Sequence, residues 1–101
     1  LVKILYLSYL RYVQFSTCSP IFRFSAQRGV YYKREPWLWD VKTFTIVREY
    51  CLLRHRLIPY LYTEGYHYSK NGQPIIQPLF YNYPEIYDEP NYKNEYYFGR
   101  E

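Results

Sequence analysis

A single short strand-like segment, "IFRFS" at residues 21–25, most constrains what this chain can fold into. It is apolar on both faces apart from Arg23, a pattern typical of a parallel strand that is covered on both sides. One such strand cannot form a sheet, because its backbone groups need neighbouring strands as hydrogen-bond partners. The sequence therefore predicts an α/β arrangement whose other strands are not among these 101 residues.

Helical patterns lie on both sides of this segment. Residues 1–16 are apolar over most of the helix circumference, which predicts a largely buried helix that ends at Ser19-Pro20. A second helix is predicted from Val41 to about Tyr68, with Asp40 as its N-cap. Pro59 falls inside this second pattern and should kink the helix without ending it, because proline has no amide hydrogen to donate.

The remaining segments are predicted to be loop or extended. Residues 26–40 form a loop long enough to be functional. Asn71-Gly72 should stop the second helix. Beyond it, "PIIQPLFYNY" is predicted to be extended, and "EYYFG" is a candidate for another strand.

Charge and hydropathy argue against nucleic acid and membranes as partners. The formal net charge is only +4, and the densest basic cluster is interspersed with acidic residues: Arg48, Arg54 and Arg56, with Glu49 and Glu64. We interpret this cluster as a solvated helix face with local ion pairs, because a nucleic-acid surface would be more strongly basic. No uncharged apolar run reaches the length of a membrane span, and no signal-peptide pattern is visible.

The cysteines and histidines give no sign of a metal or cofactor site. Cys18 and Cys51 lack CxxC spacing; they could form one disulfide, but their apolar neighbours favour free thiols and a reducing, cytoplasmic location. His55 and His67 belong to no metal-spaced cluster. We therefore predict no metal and no cofactor.

The chemistry of the residues alone does not make a complete active site. Glycoside hydrolysis needs two carboxyl groups about 5 to 10 Å apart across a cleft. Glu35 lies beside two basic residues and is interpreted as an ion-pair partner, whereas Asp40 is better explained as an N-cap. The acidic residues Glu85, Asp88 and Glu89 are interpreted as part of a solvated loop. No catalytic residue is therefore assigned within the chain.

Several stretches, taken in order, resemble glycoside hydrolase family 31, the α-glucosidases and α-xylosidases. The family patterns are RWxQ, SPxxRxH, EPW, LRxxLxPYxYT and GxPxxRPLFxxxP. This chain has the corresponding segments in the same order, at Arg11–Gln14, Ser19–Arg23, Glu35–Trp37, Leu53–Thr63 and Gly72–Pro84. No single piece is decisive, but the ordered set is specific and covers nearly the whole chain.

The resemblance implies a fold and a place within it. The family fold is a (β/α)₈ TIM barrel with β-sandwich domains around it. By resemblance, residues 1–16 are the seventh barrel helix, 20–25 the eighth strand and 41–69 the eighth helix. The implied domains are residues 1–72, the end of the catalytic barrel, and residues 73–101, the start of the β domain that follows it. The implied partner of the chain is the remainder of the parent barrel.

The resemblance also implies a substrate site. Active sites of such barrels lie at the C-terminal ends of the strands, so Arg23, Ser25 and Trp37 are the expected substrate-binding residues for an α-linked oligosaccharide or α-glycoside. The alternative for Arg23 is that it only ties its strand to a neighbouring strand. Family members are retaining enzymes with an aspartate nucleophile and an aspartate acid/base, and both motifs would precede Leu1.

This chain departs from the family pattern at two positions. Ser25 stands where the family has the histidine of RxH, which puts the sugar specificity in doubt. Gln77 stands where the family has the arginine of PxxRPLF, a change that could affect only packing between the barrel and the β domain.

Three functions are compatible with these features. The first is part of a retaining glycosidase that cleaves α-glycosidic bonds, with α-glucosides as the expected substrates. The second is a catalytically silent relative that binds a sugar. The third is a free-standing, aromatic-rich interaction module, a class that the 16 tyrosines would suit. We expect the chain to be part of a longer protein and inactive alone.

Overall fold

The computed structural model describes residues 2–24 and 35–100, with side chains described from residue 7 onward. Two α-helices and two short strands make up its main elements: α1 Val2–Thr17, α2 Val41–Asn71, β1 Ile76–Pro78 and β2 Tyr96–Phe98. Short 3₁₀ turns occur at Pro36–Leu38, Leu79–Tyr81, Pro84–Ile86 and Pro90–Tyr92. The chain divides into two compact units, Leu1–Leu57 and Ile58–Glu101.

The first unit has a small apolar core between its helices. Leu10 and Val13 of α1 and Val47 of α2 are buried. A ring of partly buried side chains surrounds them: Tyr9, Phe22, Phe24, Ile46, Tyr50 and Cys51. The helix predicted over residues 1–16 is confirmed, since α1 spans Val2–Thr17, but it is not largely buried in the described chain, because its apolar residues Leu7, Tyr12 and Phe15 are exposed.

The N-terminus of α2 has the predicted cap. The Thr43 amide donates to Oδ1 of Asp40 over 2.8 Å, and the Phe44 amide donates to the Asp40 carbonyl over 3.0 Å. Hydrogen bonding with Thr43 lowers the pKa of the Asp40 carboxyl. Asp40 therefore supplies an acceptor to amides that have no partner within the helix.

The helix α2 continues through Pro59 and ends where the sequence predicts a stop. Pro59 lies inside the helix, and its carbonyl accepts a hydrogen bond from Oγ1 of Thr63 over 3.0 Å. At the C-terminus Gly72 has a φ of +73°, and its amide donates to the Tyr68 carbonyl over 2.8 Å. Glycine takes this left-handed conformation without the steric cost that a Cβ would bring.

The segment after α1 differs from its predicted strand. Residues 21–24 have no regular secondary structure, and Ser25 lies outside the described residues. The physical reason is the lack of a pairing partner. A strand forms only when it is hydrogen-bonded to another strand, and the two described strands, β1 and β2, are paired with each other.

The second unit contains an antiparallel strand pair packed on the C-terminal part of α2. Ile76 pairs with Phe98, Gln77 with Tyr97 and Pro78 with Tyr96. The "EYYFG" strand is thus confirmed, whereas the extended segment "PIIQPLFYNY" forms a strand only at residues 76–78 and then turns. The Tyr60 hydroxyl donates to the Phe98 carbonyl over 2.7 Å and ties β2 to α2.

Within the part of the chain that the structure describes, neither helix is long and apolar enough to cross a membrane.

Candidate functional site

Arg23 projects outward from a backbone that is fixed on both sides. The neighbouring Phe22 and Phe24 are half-buried against the core, and Arg23 between them is exposed. The Tyr12 hydroxyl donates to the Arg23 carbonyl over 3.0 Å. No hydrogen bond or ion pair joins the Arg23 guanidinium to another described residue, so its five N–H donors are available to a ligand or to a carboxylate elsewhere.

Trp37 is also exposed, on a short 3₁₀ turn. Its side chain is 69% exposed. The turn is closed by hydrogen bonds from the Leu38 amide to the Glu35 carbonyl over 3.1 Å and from the Trp39 amide to the Pro36 carbonyl over 3.2 Å. Pro36 at the first position of the turn restricts its φ angle, so the indole of Trp37 is presented from a defined backbone.

Tyr9 joins the segments that carry these two side chains. Its ring stacks on Phe24, next to Arg23, with centroids 5.9 Å apart, and on Trp39, two residues after Trp37, with centroids 5.0 Å apart. Burial, with smaller effects of the charges of Cys51 and Glu35, raises the pKa of Tyr9 to about 12. Tyr9 is therefore a neutral aromatic anchor near neutral pH. From sequence, Tyr9 is only one of the residues of the apolar helix predicted over residues 1–16.

Ser25, the third predicted substrate contact, lies outside the described residues. Arg23 and Trp37 precede and follow the segment that contains it, and Tyr9 stacks on Phe24 and Trp39, which lie one and two residues after them.

Arg54 has a role that sequence analysis missed. Its guanidinium donates to the Thr17 carbonyl over 2.9 Å, to the Pro20 carbonyl over 3.0 Å, and also to the Ser19 carbonyl. Its Cζ lies 5.4 Å from the centroid of the Phe22 ring. Partial burial lowers the pKa of Arg54, but an arginine remains charged at physiological pH. These contacts connect α2 to the whole turn between α1 and Arg23.

The solvated-face interpretation of the basic cluster is confirmed only in part. Arg48 and Glu49 form an exposed ion pair at 3.6 Å. Arg54 instead binds backbone carbonyls, and Glu64 is buried and pairs with Arg100. The signal that could have identified Arg54 is that it matches the arginine of the family pattern LRxxLxPYxYT, because side chains specified by a family pattern often have fixed contacts.

A small polar recess in the second unit does not form a ligand site. Its lining includes Glu64, His67, Gln73, Gln77 and Arg100, and its volume of about 10 Å³ has room for one water molecule. Gln77 is buried, and its Nε2 donates to the Pro74 carbonyl over 2.9 Å. The neutral side chain at this departure from the family pattern is therefore satisfied within its own strand-turn segment.

The described carboxylates with known partners have structural roles. Asp40 caps α2, Glu49 pairs with Arg48, and Glu64 pairs with Arg100. Across residues 2–24 and 35–100, no three His, Cys, Asp or Glu side chains come together as a possible metal site. What the first unit offers to a ligand is a guanidinium and an exposed indole, groups that suit hydrogen bonding and stacking on a sugar.

Comparison with known proteins finds relatives named as alpha-glucosidases. The chain is 33% identical over 90 residues to neutral alpha-glucosidase C of Mus musculus, covering 89% of this chain and 10% of the relative. It is 32% identical over 89 residues to alpha-glucosidase 2 of Bacillus thermoamyloliquefaciens, covering 88% of this chain and 11% of the relative. It is 36% identical over 75 residues to neutral alpha-glucosidase AB of Dictyostelium discoideum, covering 74% of this chain and 8% of the relative.

The chain thus spans about a tenth of the length of these relatives. Residues 7–64, a range that contains Arg23, Trp37 and Arg54, match the glycosyl hydrolases family 31 TIM-barrel domain. The chain belongs to glycoside hydrolase family 31.

Proposed function

We propose that this chain is part of a retaining glycosidase that cleaves α-glucosidic bonds. The observation that carries the proposal is the match of residues 7–64 to the family's barrel domain, because it includes the exposed Arg23 and Trp37. Relatives named as alpha-glucosidases cover most of the chain. An α-glucoside or α-linked oligosaccharide is the proposed substrate.

Arg23 and Trp37 are the proposed sugar contacts, together with Ser25 between them in the sequence. The guanidinium of Arg23 can donate to sugar hydroxyls or orient a carboxylate from another barrel strand. The indole of Trp37 can cover an apolar sugar face, as exposed aromatic rings do in binding sites. The anchoring of both segments on Tyr9 supports the proposal, since a binding site needs side chains on a fixed backbone.

Residues 1–72 are the proposed end of the (β/α)₈ barrel, and residues 73–101 the proposed start of the following β domain. In that barrel, residues 20–25 would pair with strands from the remainder of the parent protein. Two properties support this placement: residues 21–24 have no ladder partner here, and the β1–β2 pair has only three residues per strand. A pair of this size is marginally stable by itself; α2 already packs on it, and the strands of the proposed β domain would extend it.

The aspartate nucleophile and acid/base are proposed to lie in sequence that precedes Leu1 in the complete polypeptide. Asp40 and Glu64 do not compete for these roles, because they are held in a helix cap and an ion pair. We also propose a cytoplasmic location, which the free Cys18 and Cys51 thiols support.

The proposal is tested on the complete polypeptide encoded by the gene. We expect it to release p-nitrophenol from p-nitrophenyl α-glucoside, with the α-anomer of glucose as the first product in a proton NMR time course. Arg23→Ala and Trp37→Ala should each lower kcat/KM by about tenfold or more, whereas Arg56→Ala, an exposed change on α2, should leave it within about twofold. Glucoside binding without hydrolysis would identify a silent relative and overturn the proposed reaction.

Ser25 has its own test in the same polypeptide. Ser25→His restores the family's residue, so kcat/KM on the plain α-glucoside should rise relative to an α-xyloside, by roughly tenfold to a hundredfold if a transition-state hydrogen bond is gained. If kcat/KM stays within about twofold on both substrates, Ser25 does not determine specificity.

A further inference from the structure

We propose that Arg54 is a positioning residue that holds the chain between α1 and Arg23 in place, and thereby sets the affinity for the sugar. This inference rests on the proposed function, since it concerns the same candidate site. It goes further because it assigns a role to Arg54, a residue of α2 that is not itself proposed to contact the sugar.

The contacts of Arg54 cover consecutive parts of one turn. Its Nη1 group donates to the Thr17 carbonyl over 2.9 Å and to the Ser19 carbonyl, and its Nη2 group donates to the Pro20 carbonyl over 3.0 Å. Three carbonyls within four residues thus share one planar guanidinium. Only arginine has several donors in a fixed fork that can meet such a set.

The position of this turn explains why it needs an outside partner. α1 ends at Thr17, and the last carbonyls of a helix lack amide partners within the helix. A cation placed there also interacts favourably with the negative end of the helix dipole. Among the described residues, the backbone hydrogen bond that closes the turn locally runs from the Ser19 amide to the Ser16 carbonyl over 3.0 Å. The guanidinium of Arg54 therefore supplies donors to three carbonyls of this turn.

The same side chain also holds the residue just before Arg23. Its Cζ lies 5.4 Å from the centroid of the Phe22 ring, a distance at which a cation and an aromatic face attract each other. Phe22 in turn contacts Phe24, with centroids 5.7 Å apart. Arg23 lies between these two residues in the sequence, so their packing restricts the backbone that carries it.

Neighbouring arginines on α2 provide matched controls. Arg56 is exposed two residues away, and the exposed Arg48 pairs with Glu49 at 3.6 Å. Among the described residues, neither forms a hydrogen bond or ion pair with the turn between α1 and Arg23. A change of charge on α2 alone should therefore not reproduce the effect of changing Arg54.

The experiment compares Arg54→Gln, Arg54→Lys and Arg56→Gln in the complete polypeptide. By hydrogen exchange and mass spectrometry, we expect amides of residues 17–24 to exchange about tenfold faster in Arg54→Gln, less so in Arg54→Lys, and unchanged in Arg56→Gln. On p-nitrophenyl α-glucoside, KM should rise about fivefold or more in Arg54→Gln, with partial recovery in Arg54→Lys.

The KM readout separates positioning from stability. A variant that merely unfolds in part has fewer active molecules, which lowers the apparent kcat and leaves KM unchanged. Unchanged exchange in Arg54→Gln, or faster exchange with an unchanged KM, would overturn the positioning role. If the unmodified polypeptide neither cleaves nor binds the glucoside, the proposed function fails and the effect on sugar affinity fails with it, while exchange still reports on the contacts of Arg54.

Discussion

Glu64 and Arg100 form an ion pair of which only the carboxylate is buried. Nε of Arg100 lies 3.2 Å from Oε1 and 3.3 Å from Oε2 of Glu64, across 36 residues of sequence. The Glu64 side chain is 5% exposed and the Arg100 side chain 51% exposed. The two partners therefore differ in how well each could tolerate the loss of the other.

We expect Arg100→Ala to destabilise the second unit more than Glu64→Gln does. The first change leaves a buried carboxylate without its cation, at a cost of about 1–3 kcal/mol, whereas the second leaves a guanidinium that can turn into water. Hydrogen exchange of residues 60–66 and 96–100 in the complete polypeptide measures the difference. Equal protection in the two variants would show that burial of Glu64 does not determine the energetics of the pair.

Gly99 is predicted to be intolerant of a side chain, for two reasons. Its φ is +81°, and a Cβ there would overlap the Tyr60 hydroxyl and lie 2.7 Å from its Cζ. The Tyr60 hydroxyl cannot simply withdraw, because it donates to the Phe98 carbonyl over 2.7 Å. Gly99→Ala should therefore destabilise the β1–β2 pair by more free energy than the strain of a positive φ costs alone.

Gly72 is the matched control for this substitution. Its φ of +73° is similar, but a Cβ there would have no atom within 4 Å. Gly72→Ala should cost only the strain of the left-handed conformation, about 1–2 kcal/mol. Exchange of residues 96–98 should rise in Gly99→Ala and stay unchanged in Gly72→Ala. If exchange changes equally in both variants, the overlap of the new Cβ with Tyr60 adds nothing to the cost of Gly99→Ala.

The features that sequence predicted correctly depend on local chemistry. Asp40 before an apolar period and Asn71-Gly72 after it mark the ends of α2 because caps involve residues only a few positions apart. The ordered family segments identified the family, which the matched barrel domain confirms.

The features that sequence did not predict depend on distant partners. Arg54 finds its carbonyl acceptors 34 to 37 residues earlier, and nothing in the charge pattern of α2 distinguishes it from Arg48. Residues 21–24 have the apolar pattern of a covered strand, but a ladder requires a second strand beside it. Side-chain pattern can therefore indicate where a strand belongs without ensuring that its pairing is present.

The cap of α2 should depend on pH through Asp40. Its pKa is lowered in the folded state by hydrogen bonds with Thr43, so the ionised carboxylate is the form that stabilises the helix start. This contribution is fully present above the pKa of an unfolded aspartate and is lost as pH falls through the lowered folded pKa. Exchange of the Thr43 and Phe44 amides, corrected for the intrinsic rate, should therefore accelerate at acid pH.

Asp40→Asn is the control for this titration. Asparagine is a comparable N-cap but does not ionise, so the amides of Thr43 and Phe44 should remain protected to similar extents across the acid range. If the acid-induced loss of protection persists in Asp40→Asn, a group other than Asp40 titrates there.

The isolated 101-residue chain is predicted neither to fold cooperatively nor to hydrolyse an α-glucoside. Among its described apolar side chains only Leu10, Val13 and Val47 are buried, whereas large ones such as Val41 and Ile21 are 81% and 75% exposed. Burial at about 25 cal/mol per Å² cannot offset the loss of chain entropy when so little apolar area is removed from water. The exposed faces should instead drive self-association.

Circular dichroism during heating, with the association state measured by sedimentation, tests this expectation. The isolated chain should show a broad, concentration-dependent change, and no release of p-nitrophenol above a buffer control. The complete polypeptide, measured alongside, should unfold sharply if the remainder of the barrel covers Val41, Ile21 and their neighbours. A sharp transition from a monomeric 101-residue sample would contradict the prediction, because it would mean that the three-residue core and the Arg54 contacts suffice for a stable fold.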